Sequence, residues 1–227
     1  MSEERRAFVP GAGFHWLTPL YDPLVALTCR DRAVKARLIA IAGIRSGQRV
    51  LDLGCGTGTL AIRVKGECPD ADMTGFDADP RMLQRAAVKA KRNGLPITFV
   101  QGFAETLPYP AGAFDRVVSS LFLHHLSPAA KVAALREAHR VLAPGGELHL
   151  ADWGRPTGPL MRFLFLGIRL LDGLTNTADH TSGRLPEMIR VAGFCDVRAG
   201  EQFRTVFGTL QLFSARSGVL PGVSSSP

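Results

Sequence analysis

Short apolar runs alternate with amphipathic stretches through the middle of the chain. Runs rich in Val, Leu, Ile and Phe predict β-strands at Gln48–Leu53, Met73–Asp77, Ile97–Gln101, Asp115–Ser120 and Glu147–Asp152. Apolar residues at helical spacing predict helices between these strands at Thr59–Lys65, 80–92 and Pro128–Leu142. This alternation predicts an α/β fold with a parallel sheet covered by helices on both faces, and such sheets bind ligands beyond the carboxyl ends of their strands.

The alternation ends after Asp152, where a different kind of sequence begins. A stretch rich in Gly, Pro and Thr surrounds an apolar run at 160–171, whose spacing predicts a helix. The remaining elements are predicted to be a helix at Leu185–Ala192 and strands at Cys195–Arg198 and Thr205–Ser214. These patterns divide the chain into an N-terminal helical cap (1–45), a main domain (46–216) with a lid after the fifth strand (about 153–192), and a flexible tail (217–227).

The charge of the chain is unevenly distributed. Its 227 residues carry a net charge of +7, but the central part, 46–154, holds twelve basic and eleven acidic side chains, so most of the excess lies in the two flanks. An apolar fraction of 46% excludes general disorder. The basic balance leaves several partners open: nucleic acid, an anionic membrane surface or an acidic substrate.

The ends of the chain and its cysteines indicate the compartment. Met1–Val9 is charged and is not followed by an apolar region, so no secretory signal is predicted. The run at 160–171 is too short, and too interrupted by arginine, to span a bilayer. The four cysteines form no C-x-x-C pair and no zinc spacing. We therefore expect a cytoplasmic protein without a metal site.

The segment Val50–Gly58 contains three glycines at alternate positions between a predicted strand and a predicted helix. Glycines in such a turn allow the backbone to approach a ligand closely. A dinucleotide site requires a third glycine at position 59, which is Thr59, and a phosphate-binding P-loop requires a Gly-Lys-Ser/Thr sequence that is absent. Asp52 would repel a pyrophosphate but suits a ligand that carries positive charges.

This segment resembles motif I (apolar-apolar-D-x-G-x-G-x-G) of the class I S-adenosylmethionine-dependent methyltransferases. The resemblance extends over about 46–154 and includes Asp77, at the position where that family places the acidic residue that holds both ribose hydroxyls. The segments 114–120 and 142–146 also resemble the family's fourth strand and its L-x-P-G-G turn. The most similar group is the small-molecule type 11 methyltransferases, which include the ubiquinone/menaquinone C-methyltransferases.

The resemblance implies a Rossmann-like, doubly wound sheet of seven strands, mostly parallel with one antiparallel strand. It implies S-adenosyl-L-methionine as the cofactor and a small-molecule acceptor as the partner. The segment 101–109 departs from the family pattern, because Phe103 stands where an Asp usually bonds adenine; Phe103 either contacts the ring or belongs to the core. The implied cofactor-binding residues are Asp52, Gly54, Cys55, Gly56, Gly58, Asp77, Ala78, Phe103, Ala104 and Ser119.

Three residues are candidates for the chemistry of methyl transfer. His124 and His125 follow the fourth strand, where the resemblance places the transferable methyl group, and an imidazole there can act as a general base. The alternative is that this pair only supports the pocket. Tyr21 matches a Tyr-Asp pair in the N-terminal cap of relatives and faces either the donor or the acceptor, or else only packs. Arg81, Arg85 and Lys89 recur every four residues and are predicted to form a solvent-exposed face.

The function that we expect is methyl transfer from S-adenosylmethionine to an O, C or N atom of a small, fairly apolar acceptor. The alternative is a peripheral membrane methyltransferase acting on phospholipid head groups or a lipid quinone, suggested by the basic flanks and the run at 160–171. A nucleic-acid substrate is disfavoured, because the fourth strand lacks the N/D-P-P-Y/F motif of base methyltransferases. A use of the cofactor without methyl transfer stays open, and the sequence predicts no oligomeric state.

Overall fold

The computed structural model describes residues 28–158, 161, 163 and 182–218. Its centre is a seven-stranded sheet with the order β3-β2-β1-β4-β5-β7-β6. All neighbouring strands are parallel except β7, which is antiparallel to both β5 and β6. The strands are β1 (Arg49–Leu53), β2 (Asp72–Asp77), β3 (Thr98–Gln101), β4 (Phe114–Ser120), β5 (Leu142–Trp153), β6 (Phe194–Thr205) and β7 (Gly208–Ser217).

In the described residues, five α-helices flank this sheet and confirm the predicted Rossmann-like α/β class. They are α1 (Asp31–Ala42), α2 (Thr59–Glu67), α3 (Pro80–Arg92), α4 (Pro128–Val141) and α5 (Leu185–Val191). A short 3-10 helix, Leu123–His125, follows β4. From β1 the chain proceeds outward through β2 and β3 and then returns to β4 on the other side. This reversal opens a crevice at the carboxyl ends of β1 and β4, where α/β proteins bind ligands.

Both faces of the sheet are buried, as the apolar runs of its strands require. Along β1, Leu51 and Leu53 belong to one core cluster and Val50 to the other. The first cluster packs the sheet against α4 and α5, and the second packs it against α1 and α2. The alternation places Asp52 on the same face as Val50, at the end of a strand whose other residues after Arg49 are all buried and apolar.

The helix boundaries follow from local hydrogen bonds that the sequence encodes. The Asp79 side chain accepts a hydrogen bond from the Arg81 amide, and Pro80 occupies the first turn of α3. Ser127 does the same for the Ala130 amide at the start of α4. These side chains satisfy amide groups that an α-helix leaves without a partner in its first turn, which is why both helices begin as predicted.

The strands depart from prediction at β5, which begins at Leu142 instead of Glu147, and at the far edge of the sheet. The structure has β6 running to Thr205 and β7 beginning at Gly208, whereas the sequence predicts a last strand that begins at Thr205. Val206 and Phe207 form the turn between them, and the Thr205 hydroxyl donates to the Gly208 carbonyl across it. The outer strand β6 is mostly exposed, so it has no apolar run from which its length could be predicted.

Several predicted features lie outside the described residues. These include the cap as far as residue 27, the tail from 219 onward and most of the run at 160–171, of which only Met161 and Phe163 are described. In the described part of the chain, no helix is long and apolar enough to cross a membrane. Those residues also contain no group of three His, Cys, Asp or Glu side chains that could hold a metal ion.

Candidate functional site

The turn after β1 is held against β2 by backbone hydrogen bonds. The Gly54 and Cys55 amides both donate to the Phe76 carbonyl, at 2.8 and 3.0 Å. Gly54, Gly56 and Gly58 have φ values of 70°, 52° and 72°, the left-handed conformation that side chains disfavour. The turn therefore depends on glycine and presents its backbone at the carboxyl edge of the sheet.

The glycine at position 54 is also required by a close neighbour. A Cβ atom there would lie 2.1 Å from the ring of Phe122, which follows β4. Phe122 therefore packs directly over the backbone of the turn. At Gly58 a Cβ atom would lie 2.8 Å from the Ala86 side chain of α3. These contacts fix the turn between the segment after β4 and a helix.

Asp77, the last residue of β2, faces the glycine turn. One carboxylate oxygen accepts a hydrogen bond from the Gly56 amide at 2.8 Å, and the other accepts one from the Asp79 amide at 2.9 Å. Burial raises the pKa of Asp77, and the two amides oppose that rise. Each oxygen keeps a further lone pair, so the carboxylate can accept two more hydrogen bonds from a ligand.

Asp52 is buried beneath the turn and accepts a hydrogen bond from the Ala61 amide of α2 at 3.1 Å. Burial raises the pKa of this carboxyl to about 7, and the positive charge of Lys35 opposes the rise. Lys35 in turn forms an ion pair of 2.7 Å with Asp31, one turn earlier in α1. Acidic and basic groups therefore meet at the end of β1.

A cavity of about 260 Å³ lies between the turn and α1. Its basic side chains are Arg32, Lys35 and Lys89, and its acidic side chains are Asp31 and Asp52. Charges of both signs suit a zwitterion such as the amino-acid part of S-adenosylmethionine, whose ammonium and carboxylate each need a counter-charge. The remaining lining residues are Gly54, Cys55, Gly56, Thr57, Thr59, Leu60, Ser120 and Leu121.

The prediction of a solvent-exposed basic face on α3 is wrong at Lys89. Its ammonium donates to the hydroxyls of Thr57 and Thr59, at 2.9 and 3.0 Å. Arg81, earlier in the same stripe, is exposed as predicted. The difference arises because α3 packs against the glycine turn at Ala86, which brings the long side chain of Lys89 over the start of α2.

The other predicted cofactor residues lie at the ends of β2, β3 and β4. Ala78 follows Asp77, and its carbonyl accepts a hydrogen bond from the Gln101 side chain at 3.3 Å. Phe103 is 39% exposed after β3, so it does not belong to the core, whereas Ala104 is buried. The Ser119 hydroxyl is buried and donates to the Leu53 carbonyl at 2.6 Å; its neighbour Ser120 lines the cavity.

A buried histidine–aspartate pair lies at the ends of β4 and β5. His124 Nδ1 is 2.8 Å from Asp152 Oδ1, and both side chains are at most 5% exposed. Asp152 also accepts hydrogen bonds from the Leu123 and Trp153 amides, both at 2.8 Å. A carboxylate held in this way fixes the orientation and the tautomer of the imidazole, an arrangement typical of general bases.

The second histidine has different surroundings. The His125 ring is half-buried, and its centroid lies 4.0 Å from that of His124. When protonated, His125 is close enough to Asp77 to favour the ionised carboxylate there. The 3-10 helix thus directs one imidazole to Asp152 and brings the other near the glycine turn. Tyr21, the third candidate, lies outside the described residues.

The pairing of Asp152 with His124 was not predicted from the sequence. The two residues are 28 positions apart, and only the parallel pairing of β4 with β5 brings them together. The positions of Phe122 and Lys35 at the site were not predicted either, because neither residue belongs to a recognisable sequence motif. Asp152 is an acidic residue at the end of an otherwise apolar strand segment, and this signal could have suggested the pair.

The chain is similar to known methyltransferases in sequence and in fold. A family described as "Methyltransferase domain" matches residues 50–146. A demethylmenaquinone methyltransferase of Thermus thermophilus is 37% identical over 63% of this chain and 65% of its own length. An uncharacterized methyltransferase of Synechocystis is 34% identical over 77% of this chain and 78% of its own length. The YcgJ protein of Bacillus subtilis superimposes with a TM-score of 0.69 at 20% identity, covering 82% of this chain and 99% of its own.

The sheet order, the glycine turn and Asp77 define a class I S-adenosylmethionine-dependent methyltransferase, as the resemblance implied. The chain belongs to the methyltransferases, and within them it is similar to demethylmenaquinone methyltransferases and ubiquinone/menaquinone C-methyltransferases. The matched part spans slightly less than two thirds of the demethylmenaquinone methyltransferase of Thermus thermophilus, so the acceptor is not settled by that relationship.

Proposed function

We propose that this protein transfers the methyl group of S-adenosylmethionine to an O, C or N atom of a small, fairly apolar acceptor. The observation that carries the proposal is a juxtaposition at one edge of the sheet. The glycine turn and Asp77 lie at the ends of β1 and β2, and the buried His124–Asp152 pair lies at the ends of β4 and β5. A donor site and a candidate base therefore share one crevice.

In this proposal, different residues of the chain bind different parts of the donor. The Asp77 carboxylate accepts hydrogen bonds from the ribose hydroxyls. Phe103, which is exposed after β3, contacts the adenine. Asp52 and Lys35 supply the opposite charges that the ammonium and the carboxylate of the donor need. These residues fit the cofactor in charge, and the glycine turn leaves room for it because no side chain projects from its three glycines.

The sulfonium of the donor supplies an already activated methyl group, so the protein mainly aligns the acceptor and excludes water. An acceptor hydroxyl or carbon acid must also lose a proton. His124 takes this proton at Nε2, because Asp152 holds Nδ1. Asp152 is thus a positioning residue for His124. Relatives are named demethylmenaquinone methyltransferases, which makes a naphthoquinol the first acceptor to test.

Donor binding is tested by replacing Asp77 and a matched residue on the same strand. Asp77→Ala should weaken binding of S-adenosylhomocysteine, the reaction product, by about 10- to 100-fold in calorimetry, since hydrogen bonds to a charged group are lost. Asp72→Ala removes an exposed carboxylate at the other end of β2 and should leave the affinity unchanged. Equal affinity of the Asp77→Ala variant and the wild type would contradict the ribose assignment.

The chemical step is tested with a donor labelled in its methyl group. The wild-type protein should transfer the labelled methyl group to a naphthoquinol. With His124→Gln the turnover number should fall about 100-fold, while the affinity for S-adenosylhomocysteine stays the same. Transfer that persists at the wild-type rate would exclude His124 as the base. Donor binding without transfer to any acceptor offered would favour the non-methylating alternative.

A membrane-associated form of the same activity is the second candidate. It is compatible with the relatives named ubiquinone/menaquinone C-methyltransferases and with the basic excess in both flanks of the chain. The protein should then bind vesicles containing anionic phospholipid at low salt and release them at high salt. Absence of binding to such vesicles at low salt would exclude this candidate. The protein would then bind an acceptor that is dissolved in water.

A further inference from the structure

A second cavity, of about 280 Å³, lies on the other side of the His124–Asp152 pair from the donor cavity. It opens where β5 ends and reaches across β7 to β6 and to the start of α5. None of the functions proposed above uses it. Its lining comprises Trp153, Gly154, Arg155, Ser182, Gly183, Leu185, Pro186, Ala199, Gln202, Gln211 and Phe213.

Polar side chains of β5, β7 and β6 lie side by side at this end of the sheet, and two of them, Gln211 and Gln202, line the cavity. Asp152 pairs with Gln211 across β5 and β7, and Gln211 pairs with Gln202 across β7 and β6. Residues paired in this way project on one face, so three polar side chains form a row across three strands. Two positions further along β7 on that face, Phe213 belongs to the hydrophobic core.

The position of the cavity relates it to methyl transfer. The donor cavity is lined by residues at the ends of β1 and β4, and the second cavity by residues of β5, β7 and β6. The strand order is β1-β4-β5-β7-β6, so the His124–Asp152 pair stands between the two cavities. Asp152 pairs with Gln211 across β5 and β7, and Gln211 lines the second cavity, so this cavity reaches the residue next to the pair.

The lining also indicates what kind of molecule would fit. Phe213 and Leu185 provide buried apolar surface, while Gln202 and Gln211 provide amides. Arg155 is the one charged side chain among the lining residues that the structure describes. Arg155 is exposed, and the aliphatic part of its side chain lies beside Gly183, where a Cβ atom would be 3.7 Å from it.

We propose that this second cavity binds the acceptor beyond its reacting atom and selects an aromatic ring that carries a carboxylate. The ring packs on Phe213 and Leu185, and the carboxylate pairs with Arg155 and the amides of Gln202 and Gln211. The proposal rests on the methyltransferase function proposed above, because it names the class of acceptor for that same reaction.

The test compares two probes that differ only in the carboxylate, 1-hydroxy-2-naphthoate and 1-naphthol. Each is titrated calorimetrically into the full-length protein saturated with S-adenosylhomocysteine. The naphthoate should bind about tenfold more tightly than the naphthol, because a charge-assisted pair with Arg155 adds to the ring contacts. Arg155→Gln should remove most of this advantage and leave the affinity for 1-naphthol within about twofold. Arg198→Gln, at an exposed β6 arginine outside the cavity, should change neither affinity.

A pair of glycine variants tests the cavity itself. A Cβ atom at Gly154 would lie 2.7 Å from the Gln211 side chain, so Gly154→Ala displaces that amide and should weaken both probes about fivefold. Gly66→Ala, in α2, meets no atom within 4 Å and should weaken neither. Equal affinity for the two probes, no binding of the naphthoate at millimolar concentration, or equal effects of the Arg155 and Arg198 variants would overturn the proposal.

These measurements distinguish a failure of the acceptor proposal from a failure of the proposed methyltransferase function. If S-adenosylhomocysteine binds and the naphthoate shows no preference, only the acceptor proposal fails. If S-adenosylhomocysteine itself does not bind to the wild type, the proposed function fails and the acceptor proposal fails with it.

Discussion

Asp52 illustrates how one buried carboxyl can tune a charged site. It lies beneath the glycine turn with the Ala61 amide as its hydrogen-bond donor, and burial raises its pKa to about 7. Near neutral pH the group is therefore only partly ionised. Because a neutral carboxyl does not attract a cation, the affinity for a ligand with an ammonium group depends on pH in the range where Asp52 titrates.

We expect the affinity for S-adenosylhomocysteine to rise between pH 6 and pH 8. Below about 7 the carboxyl of Asp52 is mostly protonated, and above it the carboxylate attracts the ammonium of the ligand. Calorimetric titration across this range measures the effect. Asp52→Asn should bind more weakly at pH 8 and show a flatter profile. The same pH profile in the wild type and in this variant would contradict the role given to Asp52.

In the proposed function, Asp152 acts through His124, with which it forms a hydrogen bond. An amide in its place can present the wrong group to His124 Nδ1 and so favour the wrong tautomer. Asp152→Asn should lower kcat about 100-fold or more and leave KM within a few-fold, since the substrate contacts are unchanged. Steady-state kinetics with the labelled donor provide the measurement. A rise in KM at constant kcat would instead assign Asp152 to acceptor binding.

Among the structural elements, the glycine turn has a shape that is constrained in two ways. It connects β1 to α2 and meets the segment after β4 through the ring of Phe122. Its conformation is therefore fixed twice, by left-handed backbone angles and by lack of space. The sequence motif predicted the first constraint, but the second involves a residue 68 positions away and depends on the pairing of β1 with β4.

Two glycines in left-handed conformation allow these constraints to be separated. Gly43, after α1, has φ 53°, and a Cβ atom there would meet no atom within 4 Å, so Gly43→Ala should cost only the backbone strain of about 1–2 kcal/mol. Gly54→Ala also meets Phe122 and should cost about 1–3 kcal/mol more. Urea unfolding measures both. Adding Phe122→Ala to Gly54→Ala should recover part of the difference, and equal costs for the two single variants would refute the crowding argument.

The strand boundaries show which elements the apolar pattern can predict. The central strands β1, β2 and β4 are buried on both faces, and their apolar runs predicted them closely. The outer strand β6 continues to Thr205, well past its predicted end at Arg198, and most of that extension is exposed to water. Its pairing with β7 determines its length, and pairing between distant segments leaves no local pattern.

At the scale of the whole molecule, a charge cluster joins three strands at the amino edge of the sheet. Glu147 on β5 pairs with Arg116 on β4 and with Arg216 on β7, and its carboxylate lies 3.2 Å from His149 Nε2. His149 is 3% exposed, and burial lowers its pKa. The folded protein therefore resists protonation of His149 more than the unfolded chain does.

This histidine should make the folded protein less stable in mild acid. Its folded pKa lies below its unfolded value of about 6.5, so its contribution is fully present above that value and is lost as pH falls below it. Glutamine cannot titrate. The free energy of unfolding of the wild type, relative to that of His149→Gln, should therefore decrease between pH 7.5 and pH 5.5 in urea titrations. A constant difference between the two proteins would show that His149 does not titrate on unfolding.

The sequence by itself determined the fold class, the glycine turn and most of the residues that the proposed donor site uses. These are local properties: apolar runs specify buried strands, and Gly54, Gly56 and Asp77 belong to a motif within one βαβ unit. The tertiary structure decided what depends on distant segments, namely the His124–Asp152 pair, the place of Lys89 and the second cavity. Contacts between residues far apart in sequence arise only when the strands take their order in the sheet, which no single stretch of the chain encodes.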